Sequence, residues 1–282
     1  MAVAISSVLN FFGDYYLVAV RGMGAAGAAL ATVVSQGISV IICILIIRRR
    51  GLPFDFGVKN IRLDRELARR TLKIGYPIAL QDLLVSISFA VLIAITNSLG
   101  LIESAGVGVA ERVCGFIMLL PSAFSQALSA FVAQNVGARK FDRADKALFC
   151  GIASSLTLAV FVFWFSFFHG EILTGIFAND PAVVLAGAEY LKAYAIDSML
   201  TSFLFCFHGY FNGCGKTRFI MLEGLIGAFG IRIPVAFIMS RQTPVSLFHI
   251  GLATPCSTLV QITLCLIFFA YNRKKMRAGE TR

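Results

Sequence analysis

Eight apolar runs fix what this chain can fold into. They lie near residues 1–20, 24–47, 73–98, 105–136, 147–168, 183–211, 219–240 and 249–271. Each approaches or exceeds the roughly 20 residues that an α-helix needs to cross a bilayer. In lipid, every backbone N–H and C=O must be satisfied within the protein, and a helix does this inside a single segment. The chain therefore reads as an all-α integral membrane protein with eight transmembrane helices. Composition agrees: 58% of residues are hydrophobic and 14% charged, against about 25% charged in ordinary soluble domains.

Charge orients the runs. The formal net charge of +10 would suit nucleic acid if it were gathered on one face, but it is sorted by side instead. With the stretch after Ile47 cytoplasmic, alternation assigns every other loop. Inside segments then hold twenty Lys and Arg, outside loops hold Arg21 and Arg241, and the spans hold Arg112, Lys192 and Arg232. Such a split is the positive-inside signature. It predicts a multi-pass protein of the plasma membrane with both termini cytoplasmic. Its partner is the lipid bilayer and not nucleic acid, and its basic runs can touch anionic lipid.

The longest polar stretch, Arg48 to Arg70, holds Gly51, Pro53 and Gly57 before a charged helical segment. It divides the chain into a two-helix piece (1–47), a cytoplasmic linker (48–72), a six-helix piece (73–272) and a basic cytoplasmic tail (273–282). Leu63, Leu67, Arg69 and Arg70 suit an interfacial amphipathic helix; a plain solvated linker fits the same residues. A weak repeat joins 27–47 to 251–271: both open on Gly and Ala-Thr, carry a Gln about ten residues on (Gln36, Gln261) and end in a basic cluster. Repeated halves are common in secondary transporters.

The polar residues inside the runs are the candidate site. Asn10 and Asp14 lie one turn apart on the first run, and Thr32 lies on the second. Asp14 and Thr32 are each nine positions from Met23 in the turn, so an antiparallel hairpin sets them at similar depth, about 13 Å of helix from the turn. An acid within the membrane by default marks an ion or proton site. In the six-helix piece, Gln81 and Asp82 follow Pro77, and Asp82 needs a water-filled cavity. Glu111 and Arg112 are adjacent, hence about 100° apart around the helix, and need not pair. Pro121 should kink its helix. Tyr190, Tyr194 and Asp197 share one helical face. Arg232, just before Pro234, is a candidate partner for Asp197 or Glu111, either as a static tie or in transport. The run 147–168 looks like a lipid-facing packing helix, and the last run looks quiet apart from Thr254, Ser257, Thr258 and Gln261.

Enzyme chemistry finds no support. Gly213-Cys214-Gly215-Lys216-Thr217 resembles the end of a phosphate-binding loop, but that motif needs a glycine where Tyr210 stands and a strand before it. HExxH, GxSxG and metal-spaced cysteines are absent from the sequence, and seven scattered cysteines read as free thiols.

In order and spacing, several motifs resemble the multidrug and toxic compound extrusion (MATE) family of antiporters. They are Asn10-x3-Asp14, the run Gly22-x-Gly24-x2-Gly27-Ala28-Ala29-x-Ala31-Thr32, Gly75-x-Pro77 and Ala133 to Ala138. Phe177-x2-Asp180 and the Gly213-to-Arg218 turn add to them. The resemblance implies a two-lobe transporter fold of twelve helices, of which this chain matches helices five to twelve. Residues 1–47 would be the last two helices of the amino-terminal lobe, and 73–272 the carboxy-terminal lobe. It further implies cation-coupled (Na⁺ or H⁺) efflux of small organic cations or amphiphilic drugs, without an organic cofactor. Asn10, Asp14 and Thr32 would bind the cation. Gln81, Asp82, Glu111, Tyr194, Asp197 and Arg232 would serve the substrate cavity. The family's first-helix Asp has no counterpart here, so a companion chain supplying the first four helices, or an amino-terminally truncated remnant, fits the same residues. A lipid-linked saccharide flippase of related fold is the other alternative; it would be expected to carry a strongly basic cavity.

Overall fold

The computed structural model describes residues 2–50 and 64–280, with side chains over 4–49 and 64–271. Most of the predicted linker, with Pro53 and Leu63, lies outside the described residues; of the basic tail only the backbone to Glu280 is described. The chain divides into two compact units, Met1–Arg65 and Glu66–Arg282.

The first unit is a helical hairpin. Helix α1 (Ala2–Asp14) passes into a π-helical segment, Tyr15–Val20, and helix α2 spans Gly24–Arg50. The turn between them runs through Gly22 at φ 66° and Gly24 at φ 55°, a region that costs other residues a Cβ clash. Small residues let the two helices close. A Cβ on Gly13 would stand 3.1 Å from the Cβ of Ala31, and one on Gly27 would stand 3.0 Å from the Leu17 carbonyl oxygen. Lipid tails are as apolar as leucine, so such close van der Waals contact, not burial from water, is what joins membrane helices.

The second unit is built around one helix. Helix α3 covers Arg65–Asn97, α4 Leu101–Ile117, α5 Leu119–Gly137, α6 Phe141–Phe168, α7 Gly170–Gly175 and α8 Pro181–Gly213. Helix α9 (Thr217–Leu225) leads through a second π-helical segment, Ile226–Arg232, into α10 (Ile233–Ser240); α11 (Leu247–Gly251) and α12 (Ala253–Glu280) complete the unit. Helix α8 is the axis, packed by α4, α5, α6, α7, α11 and α12. Asp180 starts it, its carboxylate accepting the Ala182 N–H at 2.9 Å, as an N-cap should. Small residues again set the closest approaches. A Cβ on Gly106 of α4 would stand 2.7 Å from Ala186 of α8, and one on Gly213 would stand 2.7 Å from Val132 of α5. Two cores flank the axis. One gathers Leu128, Leu148, Phe207, Phe211 and Phe269; the other gathers Leu92, Val107, Tyr190, Leu191 and Ile250.

All eight apolar runs fold as helices. Six helical stretches among the described residues are long and apolar enough to cross a membrane, and Ala4–Val20 is a shorter apolar one. Helix α8 has the length, 33 residues, but carries Lys192, Asp197, Ser198, Ser202 and His208. A helix surrounded by protein need not be apolar all round. The run 105–136 breaks at Met118 into α4 and α5, three residues before Pro121, whose ring and missing N–H disfavour the preceding turn. The third helix starts at Arg65, inside the stretch assigned to the linker. Helix α6 does face outward with Phe161, Trp164 and Phe168, yet its other face, from Ala144 to Ser166, is buried.

Candidate functional site

In the hairpin, the Asn10 amide donates to the Thr32 hydroxyl at 3.3 Å, and that hydroxyl donates to the Ala28 carbonyl at 2.9 Å. Ser6 donates to the Ser35 carbonyl one turn away, at 2.8 Å. The sequence count paired Asp14 with Thr32; the hydrogen bond pairs Asn10 with Thr32 instead. The π-helical segment that begins right after Asp14 adds a residue to the turn and shifts the register. Asp14 Oδ1 is buried and has no hydrogen-bond partner among the described residues. A buried carboxylate oxygen without a donor is costly unless a proton or cation fills the gap.

In the second unit, α3, α5, α8, the π-helical segment and α12 enclose a cavity of about 420 Å³. Five of the six residues expected to serve it line it: Gln81, Asp82, Tyr194, Asp197 and Arg232. Glu111 does not. It lies against the second core and accepts a hydrogen bond from the Tyr190 hydroxyl at 3.2 Å. Asp197 is only 2% exposed. Its two oxygens accept from Thr201, one turn on, at 2.9 Å and from Thr258 of α12 at 2.6 Å. Two hydroxyl donors thus hold the carboxylate and tie α8 to α12.

Arg232 departs from expectation. Among the described residues it forms no ion pair with Asp197 or Glu111. Its Nη1 donates to the Ser88 hydroxyl at 2.8 Å, and its guanidinium lies 4.3 Å from the centre of the Phe89 ring. Both partners are on α3. Arg232 closes a π-helical segment two residues before Pro234, where proline cannot complete the bond to the residue four before it.

Other polar residues of the cavity are less evident in the sequence. His208 and Asn212 of α8 line it, as do Thr254, Thr258 and Gln261, three of the four residues that stood out in the last run; Thr258 and Gln261 are buried. His208 contacts Glu223 of α9, Nε2 to Oε1 at 2.6 Å, with Glu223 1% exposed. A signal was available. Asp197, Thr201, His208 and Asn212 recur at helical spacing and prolong the stripe of Tyr190 and Tyr194 down α8. Among the described residues no group of three or more His, Cys, Asp or Glu is placed to hold a metal ion.

A family model described as MatE matches residues 77–238. Among curated relatives, the probable multidrug resistance protein YoeA of Bacillus subtilis (strain 168) is 23% identical over 257 residues, covering 90% of this chain and 55% of the relative. The multidrug export protein MepA of Staphylococcus saprophyticus is 25% identical over 240 residues, covering 83% of this chain and 52% of its own length. The chain spans about half the length of these relatives. A solved outward-facing multidrug resistance MATE family transporter of the MOP superfamily superposes with a TM-score of 0.85 at 20% identity, over 98% of this chain and 62% of that one. A MOP superfamily transporter from Pyrococcus furiosus, described by the reversed polarity of its binding pocket, gives 0.86 at 19% identity, over the same shares.

Proposed function

The chain belongs to the MatE family, and on that premise we propose that it works in the cation-coupled export of amphiphilic organic cations. Family membership puts it among multidrug transporters and not among enzymes. The observation that carries the substrate class is the cavity. At about 420 Å³ it has the size of a small-molecule site. Tyr194, Phe89 and Phe205 offer rings to an apolar body, and Asp82 and Asp197 are two carboxylates against the single guanidinium of Arg232. That balance favours a cation and counts against the saccharide-lipid reading, which calls for a strongly basic cavity.

Coupling is assigned to the hairpin. Asp14 supplies the charge, and Asn10 and Thr32 supply neutral oxygens, the ligand type a hard cation prefers. Na⁺ or H⁺ binding there drives export only if the ion prefers one of two conformations. The charge split across the loops supports insertion in the plasma membrane with both termini in the cytoplasm.

The test is efflux of a cationic dye from cells under an imposed Na⁺ or H⁺ gradient. The chain is expressed behind the amino-terminal helices of the Bacillus subtilis relative, so that the assay does not hinge on length. Gradient-dependent efflux is expected. Efflux indifferent to both gradients would overturn the coupling, and preference for an anionic dye would overturn the substrate class.

A further inference from the structure

We propose that the cytoplasmic end of the second unit holds a binding site for the phosphate headgroup of an anionic membrane phospholipid. A second cavity, of about 490 Å³, is lined by Arg70 and Lys73 of α3, by Lys216 and Arg218 at the start of α9, and by Ile74, Phe219 and Phe268. Four cations line it and no carboxylate does. Glu66 pairs with Arg70 from one turn away but lies outside the lining.

The cations come from two places far apart in sequence and meet because of where three helices end. Arg70 and Lys73 stand just before the apolar stretch of α3. Lys216 and Arg218 flank the first residue of α9. The charge split sets both stretches on the cytoplasmic side of the membrane. Gly215, at φ 69°, turns the chain sharply from α8 into α9. The N-terminus of α9 therefore opens beside the cations; the Phe219 N–H already donates to the Lys216 carbonyl at 3.0 Å, which leaves the N–H groups of Thr217 and Arg218 without a partner within the helix. This is the turn that resembled the end of a phosphate-binding loop. It lacks the loop and the strand a nucleotide needs, but it keeps the features that suit a phosphate: basic side chains and a helix start.

The floor of the cavity says which phosphate. Phe219 and Phe268 stack with ring centres 3.8 Å apart, and Ile74 is about half exposed beside them. A free phosphate gains nothing from such a floor. A phospholipid does, because its headgroup oxygens meet the cations while its acyl chain runs along the rings toward the bilayer. Basic pockets between helices at the cytoplasmic border are where anionic headgroups bind.

The test uses the purified chain in detergent, with bound lipid read by native mass spectrometry. Phosphatidylglycerol should be retained in preference to phosphatidylcholine of the same chains. Each basic residue near a membrane surface accounts for about fivefold in anionic-lipid affinity. The Lys216→Gln/Arg218→Gln pair should therefore lower phosphatidylglycerol retention by about thirtyfold, and Lys73→Gln by about fivefold. The control pair Arg139→Gln/Lys140→Gln, in another basic loop, should leave retention within about twofold. Three results would overturn the proposal: equal retention of the two lipids, an equal loss in the control pair, or complete displacement by millimolar inorganic phosphate. All four substituted residues of the two pairs are exposed, so folding is not at stake.

Discussion

The hairpin and the helical unit after it each carry a carboxylate within an apolar run, and they treat it in opposite ways. Asp197 is given what it needs: two hydroxyls, from α8 and from α12, each within 2.9 Å. Asp14 is left with a buried oxygen that nothing among the described residues donates to, in a hairpin whose described residues are mostly exposed. A carboxylate held by fixed donors is part of the scaffold, since moving it breaks two bonds at once. A carboxylate with an open oxygen is a place for something that comes and goes. Each unit also has a π-helical segment beside a charged residue, after Asp14 in one and ending at Arg232 in the other. The second has a proline to cause it. The first has none, and widened turns of this kind are frequent at functional sites.

The largest expected effect follows from that contrast. In the efflux assay, Asp14→Asn should reduce gradient-driven export to background while expression stays near that of the parent. Without the charge, the ion no longer prefers one conformation and cannot shift the equilibrium. Undiminished efflux by Asp14→Asn would remove the hairpin from the coupling mechanism.

Packing separates the two units next. A Cβ on Gly209 of α8 would meet the Ser125 carbonyl oxygen and stand 3.0 Å from the Leu128 Cβ, whereas one on Gly37 of α2 would meet nothing within 4 Å. Gly209→Ala should therefore cost about 1–3 kcal/mol through overpacking. Gly37→Ala should cost nothing, since alanine is the better helix former. Thermal unfolding in detergent measures both. Equal melting temperatures would mean that α5 yields to the added methyl.

How far the sequence reaches is clear from particular residues. Continuous apolar runs are decisive because lipid leaves the backbone few options, so the helical character of all eight runs was legible, though not the break at Met118 within the fourth. Periodicity showed the face of α8 that carries Asp197, because the residues of one face are set by the helix itself. What that face meets was not legible. Thr258 donates to Asp197 from 61 residues away, and only the packing of α12 on α8 brings it there. Arg232 was matched to acids because charges attract, yet it lies against Ser88 and Phe89 on α3. Its direction depends on the π-helical turn, and Pro234 announces a disturbance without saying which way it points. The pairing of His208 with Glu223 was not legible for the same reason: helical spacing places His208 on its face of α8, but only packing brings Glu223 of α9 to it.

The same substitution at the two acids should give effects of opposite sign on stability. Asp197→Asn keeps one acceptor oxygen and turns the other into a donor facing a hydroxyl, so it should cost about 1.5–3 kcal/mol, the scale of a hydrogen bond to a charged group. Asp14→Asn removes a charge with one buried oxygen that lacks a donor among the described residues and should leave the melting temperature unchanged or slightly higher. Equal losses at the two positions would mean that Asp14 has a partner as firm as Thr201 and Thr258.

The smallest effect is the one that tells the two coupling ions apart. Thr32→Ala breaks the 3.3 Å bond from Asn10. Thr32 is exposed and the bond is between neutral groups, and side-chain bonds between membrane helices average roughly 0.6 kcal/mol, so stability should fall by less than about 1 kcal/mol. Its effect on coupling depends on the ion. A proton needs only the Asp14 carboxylate, and the loss of a neutral oxygen leaves its binding nearly intact. A sodium ion needs several oxygens around it and loses one of them. Efflux driven by H⁺ should then keep its pH dependence in Thr32→Ala, whereas efflux driven by Na⁺ should need several-fold more Na⁺ for half its maximal rate, with Thr32→Ser restoring it. If Na⁺ drives efflux and Thr32→Ala leaves the half-maximal concentration unchanged, Thr32 is no ligand. The Asn10–Thr32 bond would then serve only to hold the hairpin together, and the contrast between an open acid and a fixed one would rest on Asp14 alone.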